Sequence, residues 1–501
     1  GMDFAFVGER NHYHTPNDNI ENLDIKTIQH HGENILSSSR DLLNSDWNAI
    51  GEKYVYLGGT YGFWTQWKSS YSLIALMLSA LILIFAFVRS GIPIRGLVLG
   101  YMLSPVTLIT TIVSGVLGFY LLSFFSGNII SWPGIDLPYR LLLIGSTSLG
   151  ILLGCIVSRR FIQETEAIYG AWFFWTTLCL FVTLFLPDAA NLFILPLIFA
   201  SLIMLISTFL KHENRLRFLL LTLIVALPSS LGLIFSLEQS QGYKLVLAVL
   251  PFVGLYAILL SPFLFSLKMK YAFSLVGVTT LLALLAGSSL NLYTEMRPQH
   301  VNIHFYENLD SKKSFIHLSG NYKNVGASDP EPLIEPLDTF VDLQNTKAIA
   351  SFAPEYEFRY WADSISSEWQ EPSIEVTEKS QATNSIKVKL KSNRGASRLV
   401  LLLPEKSKLK SFNIGSQTFD SAVSSRGTYN GYYAIYLNGI YDDEVNLTLN
   451  FENYPLSLDG YLLDISTKLP EHLNDLYQLR TGIFSPVHRG DQAILIKNIK
   501  I

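Results

Sequence analysis

Between residues 71 and 292 the chain is one long apolar stretch after another, whereas residues 1–70 and 293–501 mix polar and apolar positions as soluble sequence does. A bilayer core of about 30 Å takes about 20 apolar residues in a helix. Eight segments meet that demand: 71–88, 97–124, 141–158, 168–186, 192–210, 218–237, 245–266 and 272–292. Beyond Pro298 the period changes to two. In Ser385-Ile386-Lys387-Val388-Lys389-Leu390-Lys391 the lysines and the apolar residues take opposite faces, and Val445-Asn446-Leu447-Thr448-Leu449-Asn450-Phe451 repeats the arrangement. Arg398 to Leu403 reads as a more buried strand ended by Pro404. Further strands are expected near 301–306, 314–318, 374–378, 410–415, 431–438 and 492–498, while 298–370 is otherwise irregular and rich in proline and acidic residues. Short strands at this spacing predict an antiparallel β-sandwich over 298–501.

The beginning of the chain has a third pattern. Phe4 to Val7 reads as a short strand, and Asp24 is placed to cap a helix starting at Ile25, with Ile28, Ile35, Leu36, Leu42 and Leu43 along one side. Gly8 to Leu23 is then a loop between a strand end and a helix, where binding groups are commonly displayed.

Composition narrows the class. With 49% hydrophobic and 16% charged residues, 501 residues are too apolar for one soluble domain. The net charge of −4 is spread out, and neither polar part carries a basic stripe interleaved with aromatics, so nucleic acid is set aside as a partner. The two cysteines, Cys155 and Cys179, both sit in apolar runs, which excludes a disulfide framework or thiolate zinc site in the polar parts. No basic-then-apolar secretory signal opens the sequence, so either the chain is a fragment or its first membrane helix does the targeting.

Short cytoplasmic loops collect Lys and Arg. One set of turns between the apolar segments holds Arg89, Arg95, Arg159, Arg160, Lys211, Arg215, Arg217, Lys268 and Lys270, and the other set only Arg140 and Lys244. The alternation predicts that both polar parts lie on the non-cytoplasmic side. No segment has an Asp, Glu, Lys, Arg or His in its interior, which disfavours an ion pump or transporter. Pro105, Pro196, Pro228, Pro251 and Pro262 fit kinked packing helices better than a solute cavity, and Trp172 and Trp175 fit packing aromatics.

Several motifs in the second polar part have bland readings. Arg489-Gly490-Asp491 is read as a turn before the last strand, and the acceptor sequence Asn446-Leu447-Thr448 falls inside a strand. His304 and His317 lack acidic partners at ligand spacing and are taken as structural.

The loop ahead of the capped helix holds Asn11-His12-Tyr13-His14-Thr15-Pro16-Asn17-Asp18. Imidazole is the commonest nitrogen ligand for zinc, and a carboxylate such as Asp18 is suited to fixing the His14 tautomer, although a metal-free surface histidine is the usual case. Strand, Tyr13-His14-Thr15-Pro16-Asn17-Asp18, Leu23-Asp24 and a helix bearing Gln29-His30-His31-Gly32-Glu33-Asn34 together resemble the C-terminal end of the catalytic domain of the two-zinc aminopeptidase family. Its membrane branch includes the endoplasmic reticulum metallopeptidase and the vacuolar membrane protease. The local likeness covers about residues 2–43 and the remainder agrees in architecture: peptidase, multi-span bundle, non-cytoplasmic domain.

The resemblance implies that His14 is the last ligand of a zinc pair and that Tyr13 offers its hydroxyl to the oxyanion of the tetrahedral intermediate. Asp18 is a supporting carboxylate behind His14. His12, His30 and His31 match no ligand position. The family's other ligands and its general-base glutamate precede this point, so these 501 residues alone are expected to be inactive.

The resulting expectation is a truncated α/β zinc-peptidase end (1–50), a linker (51–70), an eight-helix transmembrane bundle (71–292) and a β-sandwich (298–501), acting on peptide or protein substrates from a lipid membrane. The alternative is a non-enzymatic membrane protein that binds a partner or lipid through its bundle and β part.

Overall fold

In the computed structural model the residues described are 10–44, 54–58, 64–126, 133–226, 234–235, 237–238, 242–290, 293–319, 348–350, 353–358, 361–424, 429–455, 457–480 and 482–501. They fall into two compact units. One joins the residues up to Asn11 to Leu23–Leu292; the other joins His12–Asn22 to Tyr293–Ile501. The strand expected at 4–7 lies outside the described residues.

Helix α1 (Ile25–Asn44) begins where Asp24 predicts, with Asp24 Oδ1 accepting the Lys26 amide at 2.8 Å. A hairpin of Tyr54–Gly58 with Trp64–Lys68 follows in the stretch expected to be a linker. The apolar region then forms α2 (Ser69–Ser90), α3 (Ile94–Ser126), α4 (Leu137–Ser158), α5 (Glu164–Phe185), α6 (Asn191–Ser207), α7 (His212–Leu219), α8 (Leu250–Leu260) and α9 (Met269–Ser289).

Six helical stretches among the described residues are long and apolar enough to cross a membrane: α2 to α5, the stretch Val246–Leu264 around α8, and α9. The expected number was eight. The segment 192–210 yields only the 17 residues of α6, because the helix gives way to a turn at Thr208 ahead of Lys211. The segment 218–237 is only partly within the described residues.

Small residues set how closely these helices approach. Along α3 the buried face reads Gly96, Gly100, Ser104, Thr107, Thr111, Gly115 and Gly118. A Cβ on Gly170 of α5 would lie 2.2 Å from the Gly100 carbonyl carbon, and one on Gly150 of α4 would lie 2.4 Å from the Thr110 oxygen. Backbone therefore meets backbone, the contact that replaces hydrophobic driving force between helices in lipid. Pro105 lies inside α3 and Pro196 inside α6, while Pro228 lies outside the described residues. Trp172 and Trp175 are buried packing residues, and the Trp175 indole donates to the Phe193 carbonyl at 3.0 Å.

The second unit carries two larger sheets. The five-stranded one runs in the order Gln417–Asp420, Leu409–Ile414, Glu444–Phe451, Ser385–Lys391, Ser373–Ser380. The seven-stranded one runs Tyr432–Asn438, Arg398–Pro404, Asp459–Ser466, Gln492–Lys500, Asn302–Asn308, Lys313–Ser319, Trp361–Ser364. Ile386, Val388 and Leu390 from the first share a core cluster with Leu399, Leu401 and Leu403 from the second. The lysines alternating with them pair across strands, Lys387 with Glu378 at 2.7 Å and Lys389 with Glu375 at 3.2 Å. The seven-stranded sheet corrects the antiparallel expectation: Gln492–Lys500 runs parallel to Asn302–Asn308. Those strands are joined by most of the unit, so no hairpin constrains their direction.

Strand Asp459–Ser466 escaped the sequence pattern because Leu462 to Ile465 are all buried, leaving no alternation to read, while Asp464 breaks the continuous apolar run that marks Arg398–Leu403. Arg394 Nε and Ser392 Oγ both donate to the Asp464 carboxylate at 2.6 Å, and Arg394 Nη2 also reaches the carbonyls of Asp464 and Ala493. Burial pulls the Arg394 pKa below the ordinary arginine value, against the opposing pull of Asp464.

Candidate functional site

The loop His12–Asn22 holds its shape through short-range hydrogen bonds. Thr15 is buried and donates through N and Oγ1 to the His12 carbonyl, and its Oγ1 accepts the Asn17 amide at 3.2 Å. Asn19 Oδ1 accepts the Asn22 amide, and Asn22 Nδ2 donates back to the Asn17 carbonyl. These are the local side-chain turns for which Thr, Asn and Asp are suited. Two bonds tie the loop to the start of the β unit: His12 Nε2 lies 2.7 Å from the Met296 carbonyl oxygen, and Asn17 Nδ2 donates to the Glu295 carbonyl.

The third tie is the most chemically specific. His488 donates its amide to the His14 carbonyl at 2.7 Å, and the two Nδ1 atoms are 2.7 Å apart. Both residues adopt positive φ, 60° at His14 and 57° at His488. A non-glycine residue in that region costs of order 1 kcal/mol, and such strain gathers at functional loops. Tyr13 is exposed and stacks on His14 with ring centroids 3.7 Å apart.

The turn that presents His488 is fixed from below. Asn302 grips Val487 through both ends of its side-chain amide, and Arg480 pairs with both oxygens of Asp491, which also accepts the Ile303 amide. Arg489-Gly490-Asp491 is thus the turn read from the sequence, closed by the Gly490 amide on the Val487 carbonyl and by a positive φ at Gly490. An open cleft of about 620 Å³ lies between His14–Pro16 and Pro486–Gly490. Burial, then the neighbouring His14, lowers the His488 pKa from the ordinary imidazole value.

Of the residues singled out from sequence, Tyr13 and His14 share one exposed edge of the loop. Asp18 sits beneath them: its Oδ2 accepts the His14 backbone amide at 3.4 Å, whereas the imidazole is held by His488. His488 had no signal in the sequence, because nothing local distinguishes it from any histidine in a turn. His304, half-buried, and His317, buried, are a directly paired cross-strand couple in the sheet.

Residues 1–39 match Peptidase family M28. The match contains α1 up to its last turn, Tyr13, His14 and Asp18. No curated protein matches the chain. Peptidases of family M28 are generally zinc-dependent hydrolases. The donor set here does not by itself suit such a centre: among the described residues no group of three or more His, Cys, Asp or Glu side chains could hold a metal ion. What the described residues offer in this cleft is the exposed His14 imidazole beside that of His488, with the His14 Nδ1 engaged and its Nε2 making no hydrogen bond among them.

Proposed function

We propose that this protein is a membrane-anchored zinc peptidase of aminopeptidase type, hydrolysing peptide bonds on the non-cytoplasmic side, similar to the endoplasmic reticulum and vacuolar branch. The observation that supports the reading is the match of residues 1–39 to Peptidase family M28, a stretch that contains His14. In this reading His14 is one metal ligand, Tyr13 donates its hydroxyl to the oxyanion, and Asp18 fixes the backbone of the ligand loop. A two-zinc centre built on His14 needs donors beyond the described residues. Helix α1 supports the reading: Ile25, Ile28, Ile35, Leu36 and Leu43 are all exposed, and a soluble helix with such a stripe is built to pack against more protein. The basic turns at Arg89, Arg95, Arg159 and Arg160 support the orientation, and the shared core of the two larger sheets supports a sandwich.

The experiment is peptide hydrolysis by the full-length protein, with metal content measured alongside. Chelation and His14→Ala are each expected to abolish cleavage, with His14→Ala also lowering bound zinc. Full activity in His14→Ala, or a full-length protein without zinc, overturns the reading. A second reading, a non-enzymatic membrane protein binding a partner or lipid, is favoured by the lack of a three-donor group among the described residues. Zinc-free protein without peptidase activity would favour it.

A further inference from the structure

The turn between α4 and α5 and the start of α7 enclose a cleft of about 630 Å³ at one end of the helical unit. Arg159, Arg160 and Arg215 line it, against a single carboxylate, Glu164; Leu216 and Phe265 supply apolar wall. We propose that this cleft binds the phosphate of an anionic phospholipid headgroup.

Three features carry the proposal. The first is preorganisation. Arg215 Nε, Nη1 and Nη2 donate to the carbonyls of Ser207, Ser90 and Thr208 at 3.3, 3.3 and 3.5 Å, so its guanidinium is pinned at the closing turns of α6 and α2. A guanidinium has five N–H groups, so donors remain for a ligand. Arg159 Nη1 is likewise directed to the Leu267 carbonyl at 3.4 Å. The second is an available cation. Arg160 is exposed, and its guanidinium makes no hydrogen bond or ion pair among the described residues; only its backbone amide bonds, to the Val157 carbonyl. The third is depth. The cleft begins where two apolar spans end, at Ser158 and Glu164, which is headgroup level for helices of this length. A free anion needs only the cations, whereas a phosphate that carries acyl chains also needs the apolar wall.

Topology alone accounts for basic loops but not for their convergence on one concavity. Arg217, Lys268 and Lys270 belong to the same set of basic turns, yet they do not line the cleft. They provide the control.

The test is native mass spectrometry of the detergent-purified full-length protein, titrated with phosphatidylglycerol or phosphatidylcholine, with inorganic phosphate as competitor. The expected result is preferential retention of phosphatidylglycerol, weakened about fivefold by each of Arg159→Gln and Arg160→Gln and unchanged by Arg217→Gln. Arg160→Gln removes no intramolecular bond, so its effect reads the site rather than the fold. Equal retention of the two lipids, an equal loss in Arg217→Gln, or displacement of lipid by phosphate at matched concentration overturns the proposal. None of these readouts involves peptide hydrolysis.

Discussion

His14 and His488, 474 positions apart, meet through their Nδ1 atoms at 2.7 Å while the amide of one bonds the carbonyl of the other. Two neutral imidazoles share such a bond only in opposite tautomers, one with its proton on Nδ1 and the other with its proton on Nε2. The pair thus links the orientation of the His14 ring to a turn of the β unit.

His488→Ala is expected to release the His14 ring and loosen the loop by about 1 kcal/mol, the net value of an ordinary hydrogen bond, without unfolding the β unit. Hydrogen exchange at Thr15 and Asp18, whose amides bond within the loop, should quicken about fivefold. Unchanged exchange there would mean that the contact does not hold the loop.

Arg394 and Asp464 form a buried pair in which the carboxylate is wholly inaccessible. Asp464→Ala strands the guanidinium and is expected to cost about 3–5 kcal/mol of β-unit stability. The double change Arg394→Met with Asp464→Leu should cost much less, because it removes both charges. Chemical denaturation of the single and double variants checks this.

Burial lowers the His304 pKa to about 4, against an opposing pull from Asp491, and burial together with the neighbouring His304 lowers the His317 pKa to about 3, so both fold as neutral bases. Between the unfolded value of 6.5 and these folded values, the unfolded chain binds more protons. Their contribution is therefore complete above pH 6.5 and falls away as pH drops toward 4 and then 3. The unfolding midpoint of the β unit, followed by tryptophan fluorescence, should decline over that window. Replacing both histidines by leucine should flatten the decline.

Gly170 has no room for a side chain against Gly100. Gly170→Leu is expected to force α3 and α5 apart at a cost of about 3 kcal/mol, read as a lower thermal midpoint in detergent, whereas Gly277→Leu, with open space around it, should be near neutral.

Much of the architecture follows from period alone. Strand Ser385–Lys391 has the bounds its alternation predicts, and Asp24 starts α1 at Ile25, because amphipathic faces and caps are written within a few residues of where they act. The apolar runs likewise announce membrane-length helices, though length and composition do not tell a spanning helix from one that stops short, as α6 does. Tyr13 and His14 were legible as exposed loop residues, since a polar loop ahead of a capped helix is a local feature.

Other features needed the fold. A strand with both faces buried, such as Asp459–Ser466, loses the alternation that marks half-buried ones. The parallel pairing of Gln492–Lys500 with Asn302–Asn308 and the meeting of His14 with His488 join positions far apart in the chain. Local sequence determined which segments are helix, strand or exposed loop, because those preferences arise from neighbours along the backbone. Only the tertiary structure decided which distant side chains face each other, because that choice belongs to the packing of the whole unit.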